Sequence, residues 1–307
     1  MPLTASLTIN KLTKRFGDFT AVDKLDLALQ PGEIFGLLGP NAAGKTTTIR
    51  MLAGIIRPSS GSANILGLDL FKDLNEIKSR IGYVAQHFAL YPELTVTENL
   101  VFYSGLYSSD DPQRQAELLD QYGLTPYANR HAGQLSGGYM RRLSMVCALS
   151  HDPELIFLDE PTAGIDPVTR KELWDLFYDL AMAGKTLFVT THYMEEAERC
   201  HQLAFLSHGK CVANDTPDEI KKMLDHKQIY TFDAGHEPAM LKGLNHLEGV
   251  DVINRFGNTM RLVADESLTL DKLTTFLNTW PSEDYVPVQA SANLEDVFIT
   301  LTTGESE

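Results

Sequence analysis

No apolar run in this chain approaches the roughly 18–20 residues needed to cross a bilayer, and the N-terminus has no basic segment followed by an apolar stretch of the secretory kind. These absences predict a cytosolic or peripheral protein. Cysteine is scarce. Cys147, Cys200 and Cys211 are the three present, none in a Cys-x-x-Cys pair, and they read as small core residues in a reducing compartment. Basic charge is also short, with 26 Lys and Arg against 41 Asp and Glu and a formal charge of −15. Neutralising nucleic-acid phosphates takes clustered cations, so no nucleic-acid partner is expected. What the chain does have is length and apolar content. Its 307 residues, 43% of them hydrophobic, suffice for one large domain and a smaller one.

Gly39-Pro40-Asn41-Ala42-Ala43-Gly44-Lys45-Thr46-Thr47 follows an apolar run, Ile34 to Leu38, that reads as a buried strand, and precedes a helical pattern from Thr48 to Ala53. Gly-x-x-x-x-Gly-Lys-Thr in that setting is a phosphate-binding loop, the Walker A or P-loop pattern. The backbone N–H groups of such a turn point into one concavity, and the helix N-terminus adds the positive end of its dipole. Lys45 is placed to reach the outer phosphates and the Thr46 hydroxyl to ligate Mg²⁺.

Residues 7–10 and 25–29 alternate apolar and polar side chains and predict two strands, joined by a basic turn containing Phe16. An aromatic there is either core or a platform for a purine ring. Ile81 to Ala85 predicts a strand ending at Gln86, whose carbonyl can complete a metal shell or orient a water. The stretch from about 88 to 150 shows helical periodicity with no strand, and reads as a helical insertion in an α/β core. Inside it, Leu135-Ser136-Gly137-Gly138 opens a helix. The start is either an N-cap serine with flexible glycines or a second anion-binding terminus without a lysine.

Leu155 to Leu158 predicts a central strand, with Asp159 and Glu160 at the end where ligands of parallel sheets bind. Asp159 suits Mg²⁺, and Glu160 suits polarising an attacking water. Two adjacent carboxylates without a nearby cation repel, so a metal and phosphate site makes sense of them. A loop containing Asp166 and an amphipathic helix follow. The next strand, Thr186 to Thr191, terminates at His192, within reach of a γ-phosphate if it neighbours the Asp159 strand.

In this order, the phosphate loop, Gln86, Ser136-Gly137-Gly138, the Asp159-Glu160 strand, the Asp166 loop and His192 resemble the nucleotide-binding subunit of an ATP-binding cassette (ABC) transporter, over residues 7 to about 220. The resemblance implies a P-loop NTPase core of ABC type: α/β, with a mixed sheet that includes antiparallel strands and a helical subdomain. It implies Mg²⁺-dependent ATP hydrolysis by a homodimer at the cytoplasmic face of the membrane, with ATP at the interface, powering a separate transmembrane permease. Under it Phe16 stacks on adenine, Lys45 and Thr46 take phosphate and Mg²⁺, and Gln86 senses metal and water. Asp159 holds the metal, Glu160 is the general base, Asp166 spans the dimer interface, and His192 contacts the γ-phosphate. Ser136, Gly137 and Gly138 act on the nucleotide of the other subunit. Ala42 and Tyr139 depart from the family pattern, which commonly has Gly and Gln there. The segment Thr190 to Glu198, Ala163 to Asp166 and Leu294 to Ile299 resemble the bacterial drug, antibiotic and polysaccharide exporter branch. The apolar stretch Phe88 to Pro92 then suggests part of a groove for a permease helix. The alternative is a soluble ABC ATPase acting as a nucleotide-driven clamp on ribosomes or DNA.

Residues 221–307 lie outside the cassette. Their pattern predicts strand (228–233), helix (237–247), strands (250–255 and 259–264), helix (268–280), strand (285–289) and a last helix from 293. That is the β-α-β-β-α-β order of a small ferredoxin-like α+β domain. His226, His236 and His246 fall on different elements and predict no metal cluster there.

Overall fold

The computed structural model describes residues 5–87, 89–109, 111–233, 238–280 and 285–303, in two compact units that divide between Asn214 and Asp215. Phe88 and His236 lie outside the described residues.

In the first unit, β1 (Leu7–Phe16) and β2 (Phe19–Leu29) form an antiparallel ribbon in the register Leu7↔Leu29 and Phe16↔Phe19. Both strands outrun the short alternating segments that predicted them. The register shifts between Ile9 and Lys14, where Lys11 has φ 47° and, opposite, Lys24 has φ 50°, so the simple alternation is lost while the ladder continues. β4 (Ser60–Ile65) pairs antiparallel with β1, and β5 (Leu68–Asp69) with β4, completing a sheet of order β2-β1-β4-β5.

The second sheet holds the site. It contains β3 (Ile34–Leu38), β6 (Ile81–Val84), β7 (Leu155–Asp159), β8 (Thr186–Thr191), β9 (Gln202–Ser207) and β10 (Lys210–Asp215), in the order β10-β9-β3-β8-β7-β6. The pairs from β9 through β6 are parallel. Its central strands are continuous apolar runs because both faces are covered. Ile34, Ile156, Leu158, Leu187 and Val189 point to one core, while Phe35, Leu37, Leu155, Phe157 and Phe188 point to the other. The first core lies under the helical insertion, α3 (Val96–Leu106), α4 (Pro112–Gln121) and α5 (Gly137–Leu149), together with α6 (Pro167–Met182). The second includes Ile49, Met51 and Leu52 of α1 (Lys45–Leu52), Ile77 of α2 (Leu74–Arg80), and the inner face of the first sheet. Local chemistry sets the helix starts. Thr95 and Glu98 form a reciprocal capping box, and Asp111 caps α4 ahead of Pro112. Three cysteines are accounted for by burial, which pushes the thiols of Cys147, Cys200 and Cys211 upward and keeps them protonated.

The second unit opens with α8 (Pro217–Lys222), which packs with the terminal α11 (Leu294–Thr303). Between them lie β11 (Gln228–Asp233), α9 (Pro238–Leu244), β12 (Val250–Phe256), β13 (Thr259–Ala264), α10 (Leu270–Leu277) and β14 (Val288–Gln289). The sheet order is β12-β13-β11-β14 with each pair antiparallel, the arrangement of a ferredoxin-like unit. Tyr230, Phe232, Met260 and Leu262 share a core with Met240 and Leu244 of α9 and Leu273 and Leu277 of α10. On the other side, Arg261 Nε donates to both carboxylate oxygens of Asp296 on α11, at 2.7 and 2.8 Å. Among the described residues no helix is long and apolar enough to cross a membrane.

Candidate functional site

The carboxyl ends of β3, β7 and β8 lie side by side, so the residues that follow each of them converge. Lys45 opens α1 directly after the glycine turn. Its buried ammonium donates to the carbonyls of Gly39 at 2.7 Å and Pro40 at 3.0 Å, and sits 3.2 Å from Glu160 Oε1. The loop is tight on both sides. A Cβ on Gly44, which has φ 110°, would lie 2.5 Å from the Ala21 carbonyl, and one on Gly39 would run into the Leu206 carbonyl. Ala43 is buried against this wall, and its carbonyl accepts from Gly209 N at 3.0 Å.

Ala42 has φ 66°, the left-handed region. A Cβ there costs on the order of 1 kcal/mol relative to glycine. Ala42→Gly is therefore expected to raise the unfolding free energy of the first unit by about 1 kcal/mol, read as a shift of the urea midpoint against the native chain. An unchanged or lowered midpoint would show that the loop carries no such strain.

A parallel register sets Asp159 of β7 opposite Thr190 of β8. Asp159 Oδ1 accepts from Thr190 Oγ1 at 2.8 Å and from Thr46 Oγ1 at 3.1 Å, while the buried Oδ2 has no hydrogen-bond partner. Burial raises the Asp159 carboxyl above its usual range, and the two hydroxyl donors oppose that shift. Glu160 turns out of the strand with φ 45°. Its Oε2 accepts from Gln86 Nε2 at 3.0 Å and lies 3.4 Å from His192 Nδ1, outside hydrogen-bonding geometry. Gln86 sits two residues beyond β6, in a segment held by Arg141 of α5, which donates to the carbonyls of Ala85 and Gln86 at 2.7 and 2.8 Å. Thus Lys45, Thr46, Gln86, Asp159, Glu160 and His192 form one cluster. The cation that the adjacent carboxylates require is in part internal, since Lys45 already pairs with Glu160.

Four members of the cluster, Lys45, Thr46, Gln86 and Glu160, line a cleft of about 450 Å³ together with Asn41, Ala42, Gly44 and Thr47, and Asp159 and His192 stand behind them, bonded to Thr46 and beside Glu160 respectively. Phe16 stands at its edge, half exposed, with Lys14 Nζ 4.9 Å from the ring centre. Phe19, across the Gly17–Asp18 turn, lines the same cleft, and sequence reading passed over it.

Asp166 and the Ser136 turn are absent from that lining. Asp166 is the N-cap of α6, accepting from Val168 N at 3.1 Å and Thr169 N at 3.0 Å. Ser136 and Gly137 are exposed at the start of α5, and the Ser136 side chain makes no capping hydrogen bond. Gly138 packs against α6, where a Cβ would meet Thr169 Cγ2 at 2.7 Å. Tyr139 turns into the helical insertion, its ring centre 4.4 Å from that of Tyr127.

Sequence reading also missed a buried carboxylate. Glu196, in α7 (Met194–Ala197), accepts from Thr162 Oγ1 and, at 2.6 Å, from Thr191 Oγ1, with Arg170 Nε 3.6 Å away. It links the segments after Glu160 and before His192. Its signal was one acidic residue among several in a short helix.

Residues 22–163 match the family model described as ABC transporter. The chain is 44% identical over 214 residues to the probable multidrug ABC transporter ATP-binding protein YbhF of Escherichia coli K12, an alignment spanning 69% of this chain and 37% of that protein. It is 36% identical over 323 residues to the Nod factor export ATP-binding protein I of Cupriavidus metallidurans, with 99% of both chains covered. A dimeric ATP-binding cassette solved in a post-hydrolysis state with ADP and Pi superposes with a TM-score of 0.61 at 26% identity, over 68% of this chain and 98% of that one. Fold, site geometry and full-length similarity agree that this chain belongs to the ABC transporter family, among its ATP-binding proteins.

Proposed function

We propose that the chain is the ATP-hydrolysing subunit of an ABC exporter, working as a homodimer beneath a separate transmembrane permease at the cytoplasmic face of the membrane. The observation that carries this reading is the cluster itself: a phosphate-loop lysine, a hydroxyl, two carboxylates, an amide and an imidazole are linked by direct contacts at the base of one cleft. Adenine stacks at Phe16 and the phosphates enter the loop, where Lys45 exchanges Glu160 for phosphate oxygens. Glu160, then freed, accepts a proton from the attacking water, with Gln86 and His192 beside its Oε2. The residues fit Mg²⁺. Asp159 Oδ2 is a buried acceptor without a partner, and Thr46 Oγ1 lies beside the same carboxylate. Gln86 is within the same group. When bound, the ion neutralises charge on the outer phosphate oxygens.

The exposed Ser136-Gly137 turn lies outside the lining of its own cleft, and in this reading it closes on the nucleotide of a second copy, with Asp166 between the two. Export is supported by the names of the similar proteins, which specify multidrug transport and Nod factor export. The same names give the ribosome or DNA clamp nothing. A seat for the permease is supported by exposed Val101, Phe102 and Leu106 on α3, beside Tyr91, whose ring meets Phe102 edge-on at 5.0 Å. The test is phosphate release by the purified chain with ATP, with and without Mg²⁺, and again after reconstitution with the permease. Turnover that requires Mg²⁺ supports the reading, and no turnover in either setting overturns it.

A further inference from the structure

Thr190 lies in β8, two residues before His192, outside both the phosphate loop and the carboxylate pair. It is fully buried, and its hydroxyl is used twice. The one proton goes to Asp159 Oδ1 at 2.8 Å, and a lone pair accepts from Glu160 N at 2.9 Å. These two bonds act on the two carboxylates differently. At Asp159, Thr190 and Thr46 both occupy Oδ1, which leaves Oδ2 as the unpartnered oxygen. At Glu160, the bond fixes the peptide N–H of a residue held at φ 45°. A left-handed conformation is costly for a residue with a Cβ and persists only where its surroundings determine it.

We propose that Thr190 is the positioning residue of the site: one hydroxyl sets which oxygen of Asp159 faces a cation and holds the turn that aims Glu160 at water. The inference rests on the hydrolytic reading above. Valine has the shape of threonine without the donor or acceptor, so Thr190→Val leaves Glu160 N–H without its partner and leaves Asp159 Oδ1 held by the longer Thr46 bond alone. Thr190→Ser keeps the hydroxyl.

The experiment compares native, Thr190→Val and Thr190→Ser chains by kcat, by the Mg²⁺ concentration at half-maximal rate, and by binding of a fluorescent ATP analogue with and without Mg²⁺. The expected result for Val is a kcat lower by ~10²-fold, the size of a lost positioning or general-base contribution. Its Mg²⁺ midpoint is raised several-fold, Mg²⁺-free nucleotide affinity stays within about twofold of native, and Ser restores both kcat and the midpoint. Thr190→Cys, close in volume and a weak donor, stands in should Val not fold, with a smaller loss in the same direction. Val or Cys variants with native kcat and native Mg²⁺ midpoint overturn the proposal, as does a Ser variant no better than Val. Glu160→Gln runs alongside. If it too keeps native turnover, the hydrolytic reading has failed, whereas a dead Glu160→Gln beside a native-like Thr190→Val sinks the positioning role alone.

Discussion

Glu160→Gln is expected to lower ATP turnover by ~10²–10⁴-fold, the range of a lost general base, while nucleotide affinity holds or rises. The substitution keeps the shape of the side chain and removes the site for the proton. It also removes the charge that holds Lys45, at 3.2 Å in a pair almost wholly out of water. The lysine then has only the Gly39 and Pro40 carbonyls to leave when phosphates arrive. Steady-state kinetics alongside equilibrium binding of a labelled nucleotide separate the two effects. A variant that keeps a tenth or more of native turnover would remove Glu160 from the role of base.

Lys45→Met is expected to abolish detectable nucleotide binding and, separately, to destabilise the first unit. Methionine fills much the same space but leaves the Glu160 carboxylate buried without its cation. Removing one partner of a buried pair costs about 3 kcal/mol, whereas removing both charges costs much less. The double variant Lys45→Met/Glu160→Gln should therefore recover most of the lost stability and none of the binding. Urea denaturation of the four chains makes this a double-mutant cycle. Equal destabilisation in single and double variants would mean that Lys45 stabilises the fold through its carbonyl contacts rather than through Glu160.

How much of this was legible in the sequence depends on the range of the signal. The phosphate loop is local, a strand, a glycine turn and a helix in one stretch, and it could be read outright. Likewise the second unit could be read as ferredoxin-like from its strand and helix order, because its helices and hairpin are short-range patterns. Where local periodicity breaks, reading fell short. The bulges at Lys11 and Lys24 hid the length of β1 and β2, and α2 and α8 are too short for a periodic signal. At α8 the signal was chemical, Thr216 capping Glu219 N with Pro217 at the first helical position. The site residues missed, Thr190, Glu196 and Phe19, act through contacts that the sheet register and the hairpin create. A threonine in a strand and a glutamate in an acidic helix look ordinary until Asp159 and Thr162 are set beside them. The Lys45–Glu160 pair was equally hidden, since its partners belong to different strand ends.

The central claim is that two copies of this chain close a hydrolytic site between them, and the most direct measurement is the mass of Glu160→Gln in solution by light scattering, with and without ATP. The expected result is a shift from the 34.1 kDa monomer to a dimer on adding ATP, reversed when Ser136 is replaced by Glu in the same chain. A chain that stays monomeric at saturating ATP while binding it fully would contradict the shared site.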